Sequence, residues 1–314
     1  MIDIFYFEDG EVKRGSVENL SSCKMMPLWI DITHITKDDA DFLGKEFDLH
    51  PLTQEDLISS NTRVKVEEFP NYLFCVFYAI EKAKTVKLLD IDFILGNNFL
   101  ITNHTKEVYS FNELKENMER LAQLLLRGPD FLFHYLLDTE IDYYFPVLER
   151  IDDHLEGLEE EVTKMPMPRV LNRILEEKRL LSLIRKTTFA HREKISFLAK
   201  VEFKFVSKAA LPYFRDIYDH AVRISDKVDN SREMVSNAFD LYMSSVSNKT
   251  NEIMKVLSVF ATIALPLTVV SSIYGTNFEV LPGAHNPAGF WLMMCVTLGL
   301  SFGFMYFFRR KGWF

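Results

Sequence analysis

Residues 256–274 and 290–308 are two apolar runs without a single charged side chain, joined by a short loop that opens Tyr274-Gly275-Thr276-Asn277-Phe278. Each run is about 19 residues, roughly 28 Å of α-helix, which is enough to cross a hydrocarbon core. Two buried helices of a soluble core are the alternative, but such helices rarely run this long without charge beside a basic terminus. The sequence therefore predicts a C-terminal membrane hairpin attached to a large charged body. The loop 275–289 carries Glu279 and no Lys or Arg, whereas Lys255 precedes the first run and Arg309-Arg310-Lys311 follow the second. Basic residues stay on the cytoplasmic side, so both termini are expected inside a cell (inner) membrane and the loop outside it. Tyr274 and Trp291 then mark the outer interface, and Tyr306, Phe307 and Trp313 the inner one.

About 250 residues precede the hairpin, enough for one or two domains with real cores. The net charge is −9, and with three basic residues and one acidic residue after position 255 the preceding part carries about −11. An acidic body argues against nucleic acid as a partner, whose binders present basic faces, and is compatible with cations. Cys23, Cys75 and Cys295 lie far apart with no paired spacing, so neither a disulfide nor a structural zinc is expected. The N-terminus has no basic segment leading into a long apolar stretch, so the charged body is expected to stay in the cytoplasm. No phosphate-cradling G-x-x-x-x-G-K-[ST] loop and no nucleophile–base spacing stand out, and an enzyme is not expected.

Residues 1–105 read as an α/β cytoplasmic domain. Segments 28–32, 72–80, 88–95 and 99–102 are short and rich in Ile, Val, Phe and Tyr, as strands are. Segments 37–47 and 52–58 have helical spacing, with Thr53 and Asp56 placed near the second helix's start. Gly96-Asn97-Asn98 reads as a hairpin turn. Residues 106–211 read as a cytoplasmic helical pair, with Leu and aromatic residues at 3–4 spacing up to the break at Met165-Pro166-Met167-Pro168 and a second helix over 169–200. Beyond Pro212 nothing stops a helix until Gly275, because no glycine lies between Gly157 and Gly275 and no proline between Pro212 and Pro266. Such a helix is roughly 60 residues, or about 90 Å. Its cytoplasmic part would be 212–255 and its membrane part 256–274, followed by the external loop 275–289, the second span 290–308 and the basic tail 309–314.

One face of that helix carries Asn251, Ser258, Leu265 and Ser272 at seven-residue intervals, with Met254, Ala261, Thr268 and Gly275 as a companion series. The opposite face carries Val256, Phe260, Ile263, Leu267 and Val270. A stripe of small and polar residues serves close helix packing or lines a pore, and spacing leaves both readings open. A pore would need an oligomer with this face turned to its axis. Gly299-x-x-x-Gly303 on the second run would allow close approach of a neighbouring helix.

The stretches Ser244-Ser245-Val246-Ser247-Asn248-Lys249-Thr250-Asn251, Ala264-Leu265-Pro266-Leu267-Thr268 and Tyr274-Gly275-Thr276-Asn277-Phe278 resemble the CorA metal-ion transporters, as do His50-Pro51-Leu52-Thr53-Gln54-Glu55-Asp56 and Pro212-Tyr213-Phe214-Arg215-Asp216. The resemblance covers nearly the whole chain. It implies a funnel-shaped homopentamer in membrane lipid, with the α/β domain and long-helix bundle in the cytoplasm and the long helix lining the pore. Gly275 and Asn277 match two positions of the family's Gly-Met-Asn signature, and Thr276 replaces its methionine. A ring of Asn277 amides would hold hydrated Mg2+ through its water shell, with a second ring of Asn251 near the inner end. Thr268 and Ala261 would line the path, and Met254, Leu257 and Leu265 would constrict it. By the same resemblance Asp56 and Asp216 form a regulatory Mg2+ site between subunits, and Glu55 and Asp138 contribute to a second; His220 and Asp219 read as surface or interface residues.

These features imply a Mg2+ channel, with Co2+ and Ni2+ as accompanying ions, closed by cytoplasmic Mg2+. Thr276 keeps a Zn2+ transporter of the ZntB type as the alternative, and a non-conducting, metal-sensing membrane scaffold is the third reading.

Overall fold

The computed structural model describes residues 1–59, 62–81, 86–279, 281–283 and 286–313. Val280, Ala284 and His285 of the expected external loop, and Phe314 of the tail, lie outside the described residues. The elements run β1 (Ile2–Glu8), β2 (Glu11–Gly15), the short α1 (Leu20–Cys23), β3 (Leu28–Thr33), α2 (Lys37–Phe47), α3 (Pro51–Ile58), β4 (Lys65–Glu68), β5 (Leu73–Glu81), β6 (Lys87–Leu95) and β7 (Phe99–His104). Helices follow: α4 (Tyr109–Glu116), α5 (Met118–Arg127), α6 (Pro129–Asp142), α7 (Tyr144–Lys164), α8 (Pro168–Lys200), α9 (Leu211–Tyr274) and α10 (Gly289–Arg310). Two compact units result, 1–158 with 172–238 and 159–171 with 239–314.

In the first unit the strands form one sheet in the order β2-β1-β3-β7-β6-β5-β4, with only the β3–β7 pair parallel. The central strands are apolar on both faces because both faces are covered. On one side Ile30, Ile32, Phe74, Val76, Ile94 and Ile101 pack with Leu43 and Phe47 of α2 and Leu57 of α3. On the other, Phe5, Trp29, Phe77 and Phe93 pack in an aromatic layer with Phe111 of α4 and Phe133 of α6. Trp29 occupies the pleat between Leu28 and Ile30, as the two-residue period of a strand requires.

The expected strands match β3, β5, β6 and β7, and Gly96 forms the β6–β7 turn through its N–H to the Phe99 carbonyl at 2.9 Å. The sequence reading missed β1, β2 and β4. The latter two, Glu-Val-Lys-Arg-Gly and Lys-Val-Glu-Glu, are the charged edges of the sheet, where charge blocks pairing with another chain. Asp9 and Gly10, both with positive φ, make the two-residue hairpin turn between β1 and β2. Helix α2 starts at a capping box between Thr36 and Asp39. Pro51 occupies the first turn of α3 and His50 caps it through Nδ1, so Asp56 sits toward the C-terminal end of that helix rather than its start. The helical run expected before Pro166 is divided into α4–α7 at Asn117, Gly128 and Tyr143; Gly128 has φ +134° and Pro129 opens α6.

The aromatic face also holds a buried ionic network. Lys115 Nζ lies 2.6 Å from both Asp31 Oδ2 and Asp3 Oδ2, and His104 Nε2 lies 3.0 Å from Asp31 Oδ1. Thr102 donates to Asp31 and accepts from Trp29 Nε1 at 3.0 Å. Burial pushes the Asp31 carboxyl up, but His104 and Lys115 outweigh it and hold the group below the usual range. Breaking such a pair by removing one partner costs about 3–5 kcal/mol.

In the second unit α9 continues unbroken through Pro266, and α10 forms the other apolar helix. Their apolar windows have mean hydropathies of 2.1 and 1.7 and are almost wholly uncovered within the chain. Both are long and apolar enough to cross a membrane.

His191 of α8 is buried, and its Nε2 accepts the Tyr78 N–H of β5 at 3.0 Å. Burial pushes its pKa down to about 3. The unfolded chain takes up a proton near 6.5 that the folded chain refuses, so this contribution to stability is complete above 6.5 and is lost as pH falls toward about 3, at about 1.4 kcal/mol per pH unit. His191→Gln, which retains an acceptor for Tyr78, is expected to flatten the acid limb of denaturant stability against pH. A variant parallel to the parent throughout that window would contradict this.

Candidate functional site

The carboxylates singled out in the sequence fall into two groups in the first unit. Asp56, on α3, forms an ion pair with Lys65 of β4, which also lies 3.4 Å from Glu67; Glu55 is exposed beside it. Asp138, on α6, belongs to a different constellation. His220 Nδ1 of α9 lies 2.7 Å from Asp142 Oδ1 and 3.5 Å from Asp138 Oδ1, and its Nε2 lies 3.9 Å from Asp216 Oδ2. Asp138, Asp142 and His220 can each offer a ligand atom within 4.8 Å of the others. Asp56 pairs with Lys65, whereas Asp138 and Asp216 lie against His220, so the two groups have no ion-pair partner in common among the described residues. Burial, then the neighbouring Asp142, push the Asp138 carboxyl up to about 6, and His220 opposes them. A cation here would relieve that crowding of negative charge.

Asp142 and His220 were missed as partners of Asp138, although their signal is in the sequence. Asp138 and Asp142 are four apart on α6, as are Asp216 and His220 on α9, and residues four apart share a helix face. What the sequence did not give is that these two faces meet.

In the second unit Asn251, Met254, Leu257, Ala261, Leu265, Thr268, Gly275, Thr276 and Asn277 are all exposed. Leu257 flanks the main stripe; the others before Thr276 follow a 3–4 repeat along one face. The face packed within the unit is another one. Val259 is 2 % exposed, Thr262, Ile263, Pro266 and Val270 are half-buried, and Ser301 of α10 donates to the Ile263 carbonyl at 3.4 Å. At 100° per residue this packed face lies about 150° from the stripe. Val256, Phe260 and Leu267, expected on the bulky face, remain exposed, so only the Ile263 and Val270 side of that face is covered. Thr297 and Ser301 are the buried small residues of α10, whereas a Cβ on Gly299 or Gly303 would meet open space. The glycine pair therefore does not mediate packing within the chain. At the C-terminal end of α9, Thr276 turns its hydroxyl back to the Ile273 carbonyl at 2.8 Å, and Asn277 is left exposed beyond it.

Residues 26–310 match the family described as CorA-like Mg2+ transporter protein. The chain is 37 % identical over 292 residues to the cobalt/magnesium transport protein CorA of Thermotoga maritima, covering 91 % of this chain and 83 % of that one. Its fold matches the complete structure of the CorA magnesium transporter from Methanocaldococcus jannaschii with a TM-score of 0.86 at 24 % identity, over 100 % of this chain and 99 % of the other. The ZntB cytoplasmic domain from Vibrio parahaemolyticus matches 78 % of this chain and 98 % of its own, with a TM-score of 0.61 at 12 % identity, a likeness of fold alone. With two helices able to span a membrane and a family match over nearly its whole length, the chain belongs to the CorA-like Mg2+ transporters.

Proposed function

We propose that this protein is a channel for potential-driven Mg2+ uptake, working as a homopentamer in the cell (inner) membrane with both termini in the cytoplasm. The observation that carries the reading is the uncovered stripe on α9, small and polar at Asn251, Ser258, Ala261, Thr268 and Ser272, on a different side from the Val259, Ile263 and Val270 side that meets α10. Apolar surface can meet lipid, but a row of Asn, Ser and Thr is stable at membrane depth only against other protein or water. Turning the stripe to the axis of a ring of α9 helices satisfies it. Asn277 and Asn251 then form rings of neutral amide oxygens at the two ends. Mg2+ dehydrates reluctantly, and amides touching its water shell bind it weakly enough to release it. Gly275 brings the backbone close to the axis, Thr276 caps the helix end, Ala261 and Thr268 line the path, and Met254, Leu257 and Leu265 close it by excluding water. An inside-negative potential of 100 mV contributes about 4.6 kcal/mol to a divalent cation, so entry needs no nucleotide.

Feedback follows from the carboxylates. Asp56 and Asp216 would meet across subunits and hold a regulatory Mg2+, with Glu55 and Asp138 at a second position. Bound ions tie subunits together and keep the pore shut. Asp142 and His220 extend the donor set around Asp138, and an imidazole favours Co2+, Ni2+ or Zn2+ over Mg2+. A Zn2+ transporter using the same architecture is the second reading, and the Thr276 substitution is what favours it.

Proteoliposomes holding the purified protein are expected to take up Mg2+ under an inside-negative potential and to stop when Mg2+ is added on the cytoplasmic face. Asp216→Ala should keep uptake and lose the inhibition. Zn2+ uptake that requires a proton gradient, with no Mg2+ uptake, would shift the assignment to the second reading, and no flux from an intact oligomer would refute conduction. His220→Ala is expected to weaken inhibition by cytoplasmic Co2+ more than inhibition by Mg2+; equal effects on both ions would remove His220 from the donor set.

A further inference from the structure

Between the C-terminal end of α3 and the sheet lies a cavity of about 230 Å³ that none of the transport machinery uses. It is lined by Leu57, Ile58 and Ser59 at the end of α3, by Asp90 and Asp92 of β6, by Asn103 and His104 of β7, and by the turn after β3. Asp92 and Asn103 are directly opposite each other in the β6–β7 ladder, and each is 5 % exposed. Their hydrogen bonds fix their orientation. Asn103 Nδ2 donates to Asp92 Oδ2 at 2.7 Å and to the Leu57 carbonyl at 3.1 Å. The amide cannot be flipped without setting its oxygen against these two acceptors, so Asn103 Oδ1 is the remaining acceptor.

That leaves two buried oxygens, Asp92 Oδ1 and Asn103 Oδ1, which accept no hydrogen bond among the described residues. An unmet acceptor at this depth costs free energy, and two on one cross-strand pair call for a shared electrophile. Among the described residues the surroundings show none that is free. Asp90 is acidic, and the nearby α3 terminus presents the negative end of its dipole. His104 already uses both ring nitrogens, on the Lys106 carbonyl and on Asp31, and Lys65 is engaged by Asp56 and Glu67.

We propose that this cavity is a binding site for a hydrated Mg2+ ion, held by Asp92 Oδ1 and Asn103 Oδ1. The donors are hard oxygens, which suit Mg2+, and the cavity has room for the waters that Mg2+ keeps. Leu57, Ile58 and Ser59 line the cavity directly after Asp56, so an ion there would sit beside the α3 end that carries this carboxylate. The inference concerns binding alone and does not depend on conduction.

Mn2+ serves as the probe. Crystals of the full-length protein soaked in Mn2+ are expected to show an anomalous peak between Asp92 and Asn103 in every chain. In solution, the Mn2+ bound per chain should fall by one in Asp92→Asn at unchanged oligomer size. A cavity without a peak when Mn2+ is bound elsewhere in the protein overturns the site, as does an unchanged Mn2+ count in folded Asp92→Asn. Should that variant fail to fold, the parent crystal decides alone.

Discussion

A single neighbour can cover only one side of a membrane helix, and α9 has two sides that cannot both face lipid. Val259 is buried and Ile263, Pro266 and Val270 are half-buried, with Ser301 of α10 hydrogen-bonded to the Ile263 carbonyl. Pro266 withholds the N–H that would bond the Thr262 carbonyl, and placing it on the packed side keeps that defect away from lipid. The uncovered remainder includes bulky residues such as Val256 and Phe260, which lipid can meet, and a row with Asn251, Ser258, Ala261, Thr268 and Ser272, of which Thr268 satisfies its hydroxyl on the Ala264 carbonyl of its own helix. Among the described residues that row meets little of the rest of the chain beyond Trp313, which lines one pocket with Asn251, Met254 and Ser258. The proposed assembly, in which copies shield each other's stripe around a water-filled axis, answers this deficit.

The same bookkeeping applied to the sheet separates structure from candidate chemistry. Both faces of the sheet bury a carboxylate. Asp31 is matched by Lys115, His104 and Thr102, so its charge is neutralised and its depth stabilises the fold. Asp92 sits equally deep, yet only one of its oxygens is matched, by a neutral amide. Raised toward neutrality by burial, it contrasts with the depressed Asp31 in the same sheet. Depth is common to both groups, and the available partner decides which one can take a metal.

Much of this was legible in the sequence because it rests on local periodicity. Strands β3, β5, β6 and β7 carry the apolar, β-branched and aromatic composition of a doubly covered sheet, and α9 is marked by the absence of glycine over its whole length and of proline between Pro212 and Pro266. The edge strands β2 and β4 escaped because their charges, which protect the sheet edge, erase the strand signature; Asp9-Gly10 was the available clue. The stripe on α9 was visible as a repeat, but which of the remaining residues pack on α10 was not. Phe260 and Leu267 look as suitable as Val259, and only the register between the two helices separates them. Asp142 and His220 joined Asp138 for a similar reason, since each pair shows its own helix face and nothing in either shows that the faces meet. The Asp92–Asn103 pair needs the β6–β7 register, which sequence spacing around Gly96 implies only once the hairpin is known.

The central claim is that the stripe of α9, and not its packed face, meets other copies of the chain. Single cysteines placed at Thr268 and at Val259, in full-length protein carrying Cys295→Ser, test it directly by oxidative cross-linking in the membrane. Covalent dimers from Thr268→Cys and none from Val259→Cys are the result predicted. Cross-linking between chains at Val259→Cys, with Thr268→Cys left monomeric, would contradict the arrangement.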